Sequence, residues 1–458
     1  MTLKLNRLST LSLLAAALAL LALPGCKPSA PAGASTSTSA AAPQGDAELK
    51  ALAFTRAEGK DAIDTTIRGL KARLELENNA DAWAVLAQQW ILKARHTQDP
   101  GYYLSADAAA QLALKADPGH ALALGLRATV KMNQHRFAEA REMARDALRK
   151  DPENLMALGA LADALLEMGE VDASANAVQQ MVNLKPDLAS YGRAAHMRWL
   201  HGDAETAKRF YRSAIDSGTN ARAPEPAIWM MVQVAMVFFN QGDLDGAEAG
   251  FQLALKRLPG YPPALVGLAR VELARGRTAR AVPLLEQAWA KSQLVETGWL
   301  LGDARAASGD DKGARAAWDA AIALGERTDH LSLGNMLAAK SWRIPDALQR
   351  LEGELRERPN QAVRDAYSWA LYRAGRFQEA KAQSDQVMSL GTPDPKYFFH
   401  AGAIRAAAGD AASGRALLER ALKLNPAFDL EAARECKELL AKLDAAAAGA
   451  VGAVAGGR

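Results

Sequence analysis

The sequence contains few of the residues that usually carry catalysis or bind metal ions. It has two cysteines, Cys26 and Cys436, and seven histidines among 458 residues. It has no Cys-x-x-Cys pair, no His-Glu-x-x-His zinc motif and no glycine-rich loop of the kind that cradles phosphate. The closest two histidines, His196 and His201, have no second type of ligand at helical spacing. We therefore expect no catalytic site, no metal ion and no cofactor.

An excess of basic residues is also missing. The chain has 55 Lys and Arg residues against 52 Asp and Glu residues. Proteins that bind nucleic acid normally carry clustered Lys and Arg side chains that neutralise phosphates. The composition therefore predicts no nucleic-acid partner.

Glycine recurs at a fixed spacing through much of the chain. Gly242 and Gly276 are 34 residues apart, as are Gly375 and Gly409, and Gly309 follows Gly276 by 33 residues. An alanine stands five residues after Gly202, Gly242, Gly276, Gly309 and Gly375. Prolines repeat with the same period of 34 at Pro118, Pro152 and Pro186. A fixed period of this length indicates a stacked array of repeats.

Within one repeat, the apolar residues have helical spacing on both sides of the glycine. Before Gly242 they stand eleven, eight, seven and four positions back, and after it five, nine and twelve positions forward. These residues are Met231, Val234, Ala235, Phe238, Ala247, Phe251 and Ala254. Glycine permits the left-handed backbone that ends a helix, and Pro259 stops the second helix. Each repeat is therefore predicted to be two antiparallel helices that bury their apolar faces against neighbouring repeats.

This pattern resembles the tetratricopeptide repeat over residues 80–429, in nine or ten units. The resemblance implies an all-α fold, namely a right-handed α-solenoid of antiparallel helix pairs that binds other proteins. Because the ends of such an array need caps, we expect capping helices in residues 47–79 and a closing helix in residues 430–444. The Ala/Gly-rich tail, residues 445–458, is expected to be disordered.

The repeat is interrupted at three places. Seven extra residues, including "TQDPGYY", lie between residues 83 and 106, and a second insertion covers residues 217–227. In a third unit, Trp342 stands where the turn glycine belongs. An enzymatic function would need a catalytic group in an insertion, and only His96 and Asp99 offer one. We predict that the protein is not an enzyme.

The N-terminus has the pattern of a secretory leader. Lys4 and Arg7 precede an apolar run that is too short to span a bilayer comfortably. The run ends in "LPGC", which resembles the lipobox of bacterial lipoproteins, although Pro24 departs from the residue usual there. The resemblance implies a signal peptide at residues 1–25 and a lipid-modified Cys26. The alternative is an ordinary secretory leader that is cut nearby, with Cys26 incidental.

A lipid anchor at Cys26 would hold the chain at a membrane. By the same resemblance, Lys27 is not the aspartate that retains lipoproteins in the inner membrane. We therefore expect an outer-membrane lipoprotein that faces the periplasm if the cell is Gram-negative. Residues 26–46 carry almost no bulky apolar side chain and are expected to form a disordered tether. With Cys26 lipidated, Cys436 has no partner for an intramolecular disulfide.

The resemblance also suggests where a partner binds, because the first helix of each tetratricopeptide pair lines a concave groove. The lining positions lie thirteen, ten, six, three and two residues before the turn glycine. These offsets place fourteen residues in the partner-binding groove: His196, Trp199, Trp229, Met236, Phe239, Asn240, Arg270, Trp299, Asp303, Asp365, Trp369, Tyr372, Arg373 and Phe399. Aromatic and arginine side chains often dominate binding at protein interfaces. The alternative for each aromatic residue is that it packs against a neighbouring helix and touches no ligand.

These features favour a scaffold or assembly factor at the cell envelope, which binds a protein or peptide partner in the groove. The alternative is a glycan-binding scaffold for exopolysaccharide export, because aromatic side chains suit sugar stacking.

Overall fold

The computed structural model describes residues 45–57, 59–97, 99–218 and 224–455, with side chains described up to residue 446. The leader, the lipobox with Cys26, and almost all of the expected tether lie outside these residues. Within them the chain forms 23 α-helices and no β-strand. The predicted all-α fold is therefore confirmed.

Ten consecutive helix pairs make up most of the chain. Two helices precede them, α1 (Asp46–Ala53) and α2 (Ala62–Leu76), and α23 (Ala432–Ala455) follows them. The pairs are α3 (Ala80–Thr97) with α4 (Tyr102–Ala116), α5 (Ala121–Asn133) with α6 (Phe137–Lys150), α7 (Leu155–Glu167) with α8 (Val171–Leu184), α9 (Leu188–Leu200) with α10 (Ala204–Ser217), α11 (Glu225–Asn240) with α12 (Leu244–Arg257), α13 (Pro262–Ala274) with α14 (Thr278–Lys291), α15 (Val295–Ala307) with α16 (Asp311–Thr328), α17 (His330–Ala339) with α18 (Ile344–Glu357), α19 (Gln361–Arg373) with α20 (Phe377–Met388), and α21 (Pro395–Ala407) with α22 (Ala411–Leu424). Each helix packs mainly against its partner and against the next pair, which is the contact pattern of an α-solenoid.

Small residues let the two helices of a pair approach closely. In the fifth pair, Ala235 on α11 and Ala247, Phe251 and Ala254 on α12 are completely buried in one cluster. Phe251 also contacts the next pair: a Cβ at Gly267 would lie within 2.2 Å of its ring. Each pair therefore shares its apolar core with its neighbours, as the repeat pattern predicts.

The turns between paired helices have the predicted left-handed backbone. All six turn glycines named by the sequence pattern have positive φ: Gly202, Gly242, Gly276, Gly309, Gly375 and Gly409. In the pair α17–α18 the expected position is wrong by one residue. Ser341, with φ 57°, holds the left-handed turn, and Trp342 is free to pack edge-on against Trp318 at 5.4 Å. A non-glycine residue in this conformation costs about 1–2 kcal/mol, which packing of this kind can offset.

The array curves until its second half touches its first half. Three side chains in loops of the second half donate hydrogen bonds to the C-terminal ends of α7, α9 and α11. The bonds are Asn360 Nδ2 to Glu167 Oε2 at 2.6 Å, Thr392 Oγ1 to the Leu200 carbonyl at 2.7 Å and Asn425 Nδ2 to the Phe239 carbonyl at 2.7 Å. The last carbonyls of a helix lack partners within the helix, so the two carbonyl bonds act as distant caps. We call this line of contacts the seam.

The turn glycines of the same three pairs allow this approach. A Cβ added at Gly169, Gly202 or Gly242 would lie 2.6–2.9 Å from a main-chain carbonyl oxygen across the seam. Those oxygens belong to Pro359, Gly391 and Leu424. At Gly276 and Gly309, a Cβ would meet no described atom within 4 Å. Of these five turns, the three at the seam therefore need glycine for two reasons: the left-handed backbone and the close approach of a main-chain carbonyl.

The ends of the array differ from the pairs between them. Helix α1 packs on α4 and α2 packs on α3, where the sequence suggests an N-terminal cap. At the other end, α23 packs on α21 and α22 and continues past residue 444. Its backbone is helical to Ala455, in the stretch for which the sequence predicts disorder; alanine's high helix propensity accounts for the difference.

Candidate functional site

A cavity on the concave side lies between the first helices of the last four pairs and the C-terminal segment. Its volume is about 680 Å³. Six of the fourteen predicted groove residues line it: Trp299, Asp303, Trp369, Tyr372, Arg373 and Phe399. They come from α15, α19 and α21, so the superhelical stacking of first helices brings together residues up to 100 positions apart in sequence.

Trp369 is the centre of an aromatic stack in the wall of this cavity. His400 stacks on it at 4.1 Å, Tyr372 stacks at 4.7 Å and the Arg373 guanidinium lies over it at 4.4 Å. Only 1% of Trp369 is exposed. The residue therefore stabilises the wall by packing and offers little surface to a ligand. Trp299, in contrast, is partly exposed.

A charged cluster forms the floor of the cavity. The ammonium of Lys340 lies 2.6 Å from Asp303 and 2.7 Å from Glu431, and the indole N–H of Trp318 donates to Asp303 at 2.9 Å. Burial raises the pKa of Asp303 to about 7; the Lys340 ammonium opposes this rise, and the nearby carboxylates of Glu431 and Asp429 add to it. One lysine thus serves two carboxylates in a mostly buried position.

A second polar pair lies behind the aromatic stack. The carboxylate of Asp365 is 3.0 Å from His400 Nδ1 and 3.7 Å from the ammonium of Lys396. Asp365 is buried and does not line the cavity, although the sequence offsets place it in the groove. Its contact with His400 fixes the imidazole against Trp369.

The C-terminal segment closes the cavity from the opposite side. Asp429, Glu431, Glu435, Glu438 and Lys442 all face into it. Arg373 donates to Glu435 at 2.6 Å, so this wall is joined to the first helices by an ion pair. The concave side is therefore not an open groove at this end of the array.

Two more predicted groove residues line a smaller cavity of about 200 Å³ next to the first. Phe239 and Arg270 form one side of it, and residues 426–430 form the other. Arg270 also forms a hydrogen-bonded ion pair with Glu296. The C-terminal segment thus contacts the walls of both cavities.

The other five predicted groove residues lie on α9 and α11 and line neither cavity: His196, Trp199, Trp229, Met236 and Asn240. Trp199 and Trp229 pack against one apolar cluster and Met236 packs against the next. Burial lowers the pKa of His196 to about 4, so its imidazole is neutral at pH 7. The fourteen residues are therefore not one continuous site.

Some cavity residues were missed by the sequence offsets. Asn335 lies six residues before Ser341, which is a lining offset, but the misplaced turn at Trp342 concealed it. Lys396 lies thirteen residues before Gly409 and could have been found by the same rule. No offset could have found Glu431 or Glu435, because the sequence does not say where the last helix folds.

The described residues contain no group of three or more His, Cys, Asp or Glu side chains arranged to hold a metal ion. In the same part of the chain, no helix is both long and apolar enough to cross a membrane.

Family models match two segments of the sequence. The model described as a tetratricopeptide repeat matches residues 131–196, and that described as a tetratricopeptide repeat-like domain matches residues 227–341. These segments cover α6 to α8 and α12 to α17 completely. Among curated proteins, no sequence relative is found.

Several solved structures share the helix-pair architecture. PilW, titled a widely conserved type IV pilus biogenesis factor, is 18% identical with a TM-score of 0.39, over 47% of this chain and 98% of PilW. A tetratricopeptide repeat protein from Parabacteroides merdae is also 18% identical with a TM-score of 0.39, over 52% and 93%. Yeast Tom70 is 12% identical with a TM-score of 0.35, over 87% and 96%.

Proposed function

We propose that this chain, two segments of which match tetratricopeptide repeat models, is a non-enzymatic scaffold or assembly factor whose concave side binds a segment of a partner protein. Such repeats generally serve protein–protein interaction. Binding occurs between the first helices of the last four pairs and the C-terminal segment. The partner's side chains enter the cavity lined by Trp299, Asp303 and Arg373.

The gathering of six predicted groove residues around one cavity carries this proposal. The stacking of Trp369 and the ion pairs of Lys340 hold the walls in place without a ligand. A preformed site has little ordering cost on binding, so a few aromatic and charged contacts supply useful affinity. The volume of about 680 Å³ is enough for a few side chains of a peptide.

The proposal extends to the location of the protein. Cys26 carries the lipid, the first 25 residues are removed, and the solenoid faces the periplasm from the outer membrane of a Gram-negative cell. The basic residues Lys4 and Arg7, the apolar run and the "LPGC" sequence support this. Replacing Cys26 with serine should abolish labelling by radioactive palmitate and release the protein from the membrane fraction. Labelling that persists in Cys26→Ser would contradict the anchor.

In-cell photo-crosslinking tests the binding proposal. A photoreactive amino acid at Trp299, which lines the cavity, should capture a discrete partner. The same amino acid at Arg280, an exposed residue on the second helix α14, is the matched control. Equal capture at both positions, or capture only at Arg280, would contradict binding on the concave side.

The glycan alternative receives no specific support from the cavity. Trp369 is already covered by His400, Tyr372 and Arg373, so a sugar ring has no free face to stack on there. The alternative stays a prediction, and titration of tryptophan fluorescence with envelope polysaccharides tests it.

A further inference from the structure

Residues 425–442 already occupy part of the concave surface. Their first contact is the seam bond from Asn425 to the Phe239 carbonyl. Further along, the ring of Phe428 lies 6.0 Å from that of Phe399. Glu431 pairs with Lys340 at 2.7 Å, and Glu435 pairs with Arg373 at 2.6 Å. We call the surface formed by Lys340, Arg373 and Phe399 the acidic-helix seat.

The contacts on the seat form a regular pattern. Phe428 and Glu431 lie in the turn that precedes α23, and Glu435 lies in the first turn of that helix. They stand three and four residues apart in sequence. The two carboxylates meet two cations, Lys340 at the end of α17 and Arg373 at the end of α19. The seat is therefore complementary, in charge and spacing, to an aromatic residue followed by two carboxylates.

Asn425, Phe428, Ala433 and Cys436 of the segment are buried, whereas the two carboxylates that pair with the seat are partly open to solvent. Glu431 keeps 41% of its side chain exposed and Glu435 keeps 29%. Lys340 is shared between Glu431 and Asp303, so the pair with Glu431 is not exclusive. A competing helix that repeats the pattern would recover the contacts that the chain's own segment gives up.

We propose that the acidic-helix seat is the partner-binding surface and that residues 425–442 occupy it until the partner displaces them. The partner is a segment with an aromatic residue in a turn and, three and seven positions after it, two carboxylates at the start of a helix. This inference rests on the proposed function, because it names the chemistry of the partner that binds the same site.

A peptide with the sequence of residues 425–444, carrying Cys436→Ser and a fluorophore, is the probe. The full-length wild-type chain should not bind it at micromolar concentration, because the tethered segment has an effective concentration of about 1 mM. The full-length double variant Glu431→Gln/Glu435→Gln has lost both ion pairs of the tethered segment. It should bind the peptide at least about tenfold more tightly than the wild type, as measured by fluorescence anisotropy.

Matched controls separate release of the helix from a general loss of charge. Glu419→Gln removes an exposed carboxylate of the neighbouring helix α22, where Glu419 pairs with Arg415 of the same helix. This variant should bind the peptide no better than the wild type. A peptide that carries Glu431→Gln and Glu435→Gln should bind no variant.

Hydrogen exchange on the same proteins makes every outcome decisive. The double variant should lose protection in residues 432–443 and keep it in α21 and α22. Unchanged exchange in the double variant would overturn the proposal, because the ion pairs would not hold the segment. Faster exchange without peptide binding would overturn it too, because a vacated seat would have no affinity for the pattern. Neither result depends on the cross-linking at Trp299, so failure of the seat and failure of the scaffold function can be told apart.

Discussion

The hydroxyl of Thr392 donates a hydrogen bond to the carbonyl of Leu200 at 2.7 Å, although the two residues are 192 positions apart in sequence. Thr392 is buried, and Gln361 Nε2 donates to the same hydroxyl oxygen at 2.9 Å. This bond belongs to the seam, where the second half of the array contacts the first. The seam fixes the curvature of the solenoid and, with it, the distance between the walls of the concave side.

Removal of this hydroxyl should loosen the seam. Thr392→Val keeps the shape of the side chain but leaves the Leu200 carbonyl without its donor, while Gln361 Nε2 keeps its bond to the Val387 carbonyl. A buried polar group that loses its partner costs about 1–3 kcal/mol. Hydrogen exchange should accelerate at the C-terminal end of α9. The control Thr66→Val removes a local bond to the Ala62 carbonyl on an exposed surface and should have little effect. Equal effects of the two substitutions would show that the seam contributes nothing.

The turn glycines offer a second test of the seam. Gly202→Ala and Gly276→Ala both force alanine into a left-handed turn, with φ of 83° and 72°. Each should cost about 1 kcal/mol for that reason alone. Only Gly202→Ala also places a Cβ 2.9 Å from the Gly391 carbonyl oxygen. We therefore expect a larger decrease in melting temperature for Gly202→Ala than for Gly276→Ala. Equal decreases would mean that separation of the two sides of the seam does not destabilise the protein.

The sequence predicts the turns well because their cause is local. A left-handed residue at the end of a helix favours glycine, so the spacing of Gly242, Gly276 and Gly309 locates three turns directly. The sequence did not predict the turn at Ser341, because a non-glycine residue can adopt the left-handed backbone where neighbouring packing offsets the strain.

The sequence did not predict the seam for a different reason. The seam depends on the sum of small angles between successive helix pairs, and no short stretch of sequence determines that sum.

The offsets from the turns predict the wall of the cavity but not the role of each side chain. Trp299 and Trp369 both occupy predicted lining positions on first helices, ten and six residues before their turn glycines. One is partly exposed and the other is covered by His400, which comes from the next pair. Exposure therefore depends on residues of neighbouring units, which an offset within one unit does not include.

This difference predicts different effects of two alanine substitutions. Trp369→Ala should destabilise the C-terminal pairs by about 3–5 kcal/mol, as expected for loss of a buried tryptophan. Trp299→Ala should cost about 1 kcal/mol, because part of its ring is already in water. Chemical denaturation monitored by hydrogen exchange measures both, in α19 and α21 for Trp369→Ala and in α15 and α17 for Trp299→Ala. A greater loss of stability for Trp299→Ala than for Trp369→Ala would contradict the assignment of Trp369 as the packed residue and Trp299 as the partly exposed one.

The pH should affect the acidic-helix seat through Asp303. Its folded-state pKa of about 7 lies above the value of 3.8 for a free carboxyl, so the folded chain binds one more proton than the unfolded chain between these values. The contribution of Asp303 to the free energy of unfolding is therefore greatest below pH 4. It decreases as pH rises towards 7, by at most about 4 kcal/mol. Protonation of His196, with its pKa lowered to about 4, acts in the opposite direction as pH falls below 6.5.

The variant Asp303→Asn isolates the contribution of Asp303 from that of His196. The difference in stability between wild type and variant should change between pH 5 and pH 8. Compared with the variant, the wild type should be less stable at pH 8 than at pH 5. Thermal unfolding at several pH values measures it. A difference that is constant with pH would show that Asp303 does not titrate in this range.

The most direct measurement of the central claim is a hydrogen-exchange footprint of the partner captured at Trp299, recorded on the purified complex. The account predicts new protection on the concave first helices α15, α17, α19 and α21, together with faster exchange in residues 432–443 as the chain's own helix leaves the acidic-helix seat. Protection confined to the second helices α14, α16, α18, α20 and α22, with residues 432–443 unchanged, would contradict it.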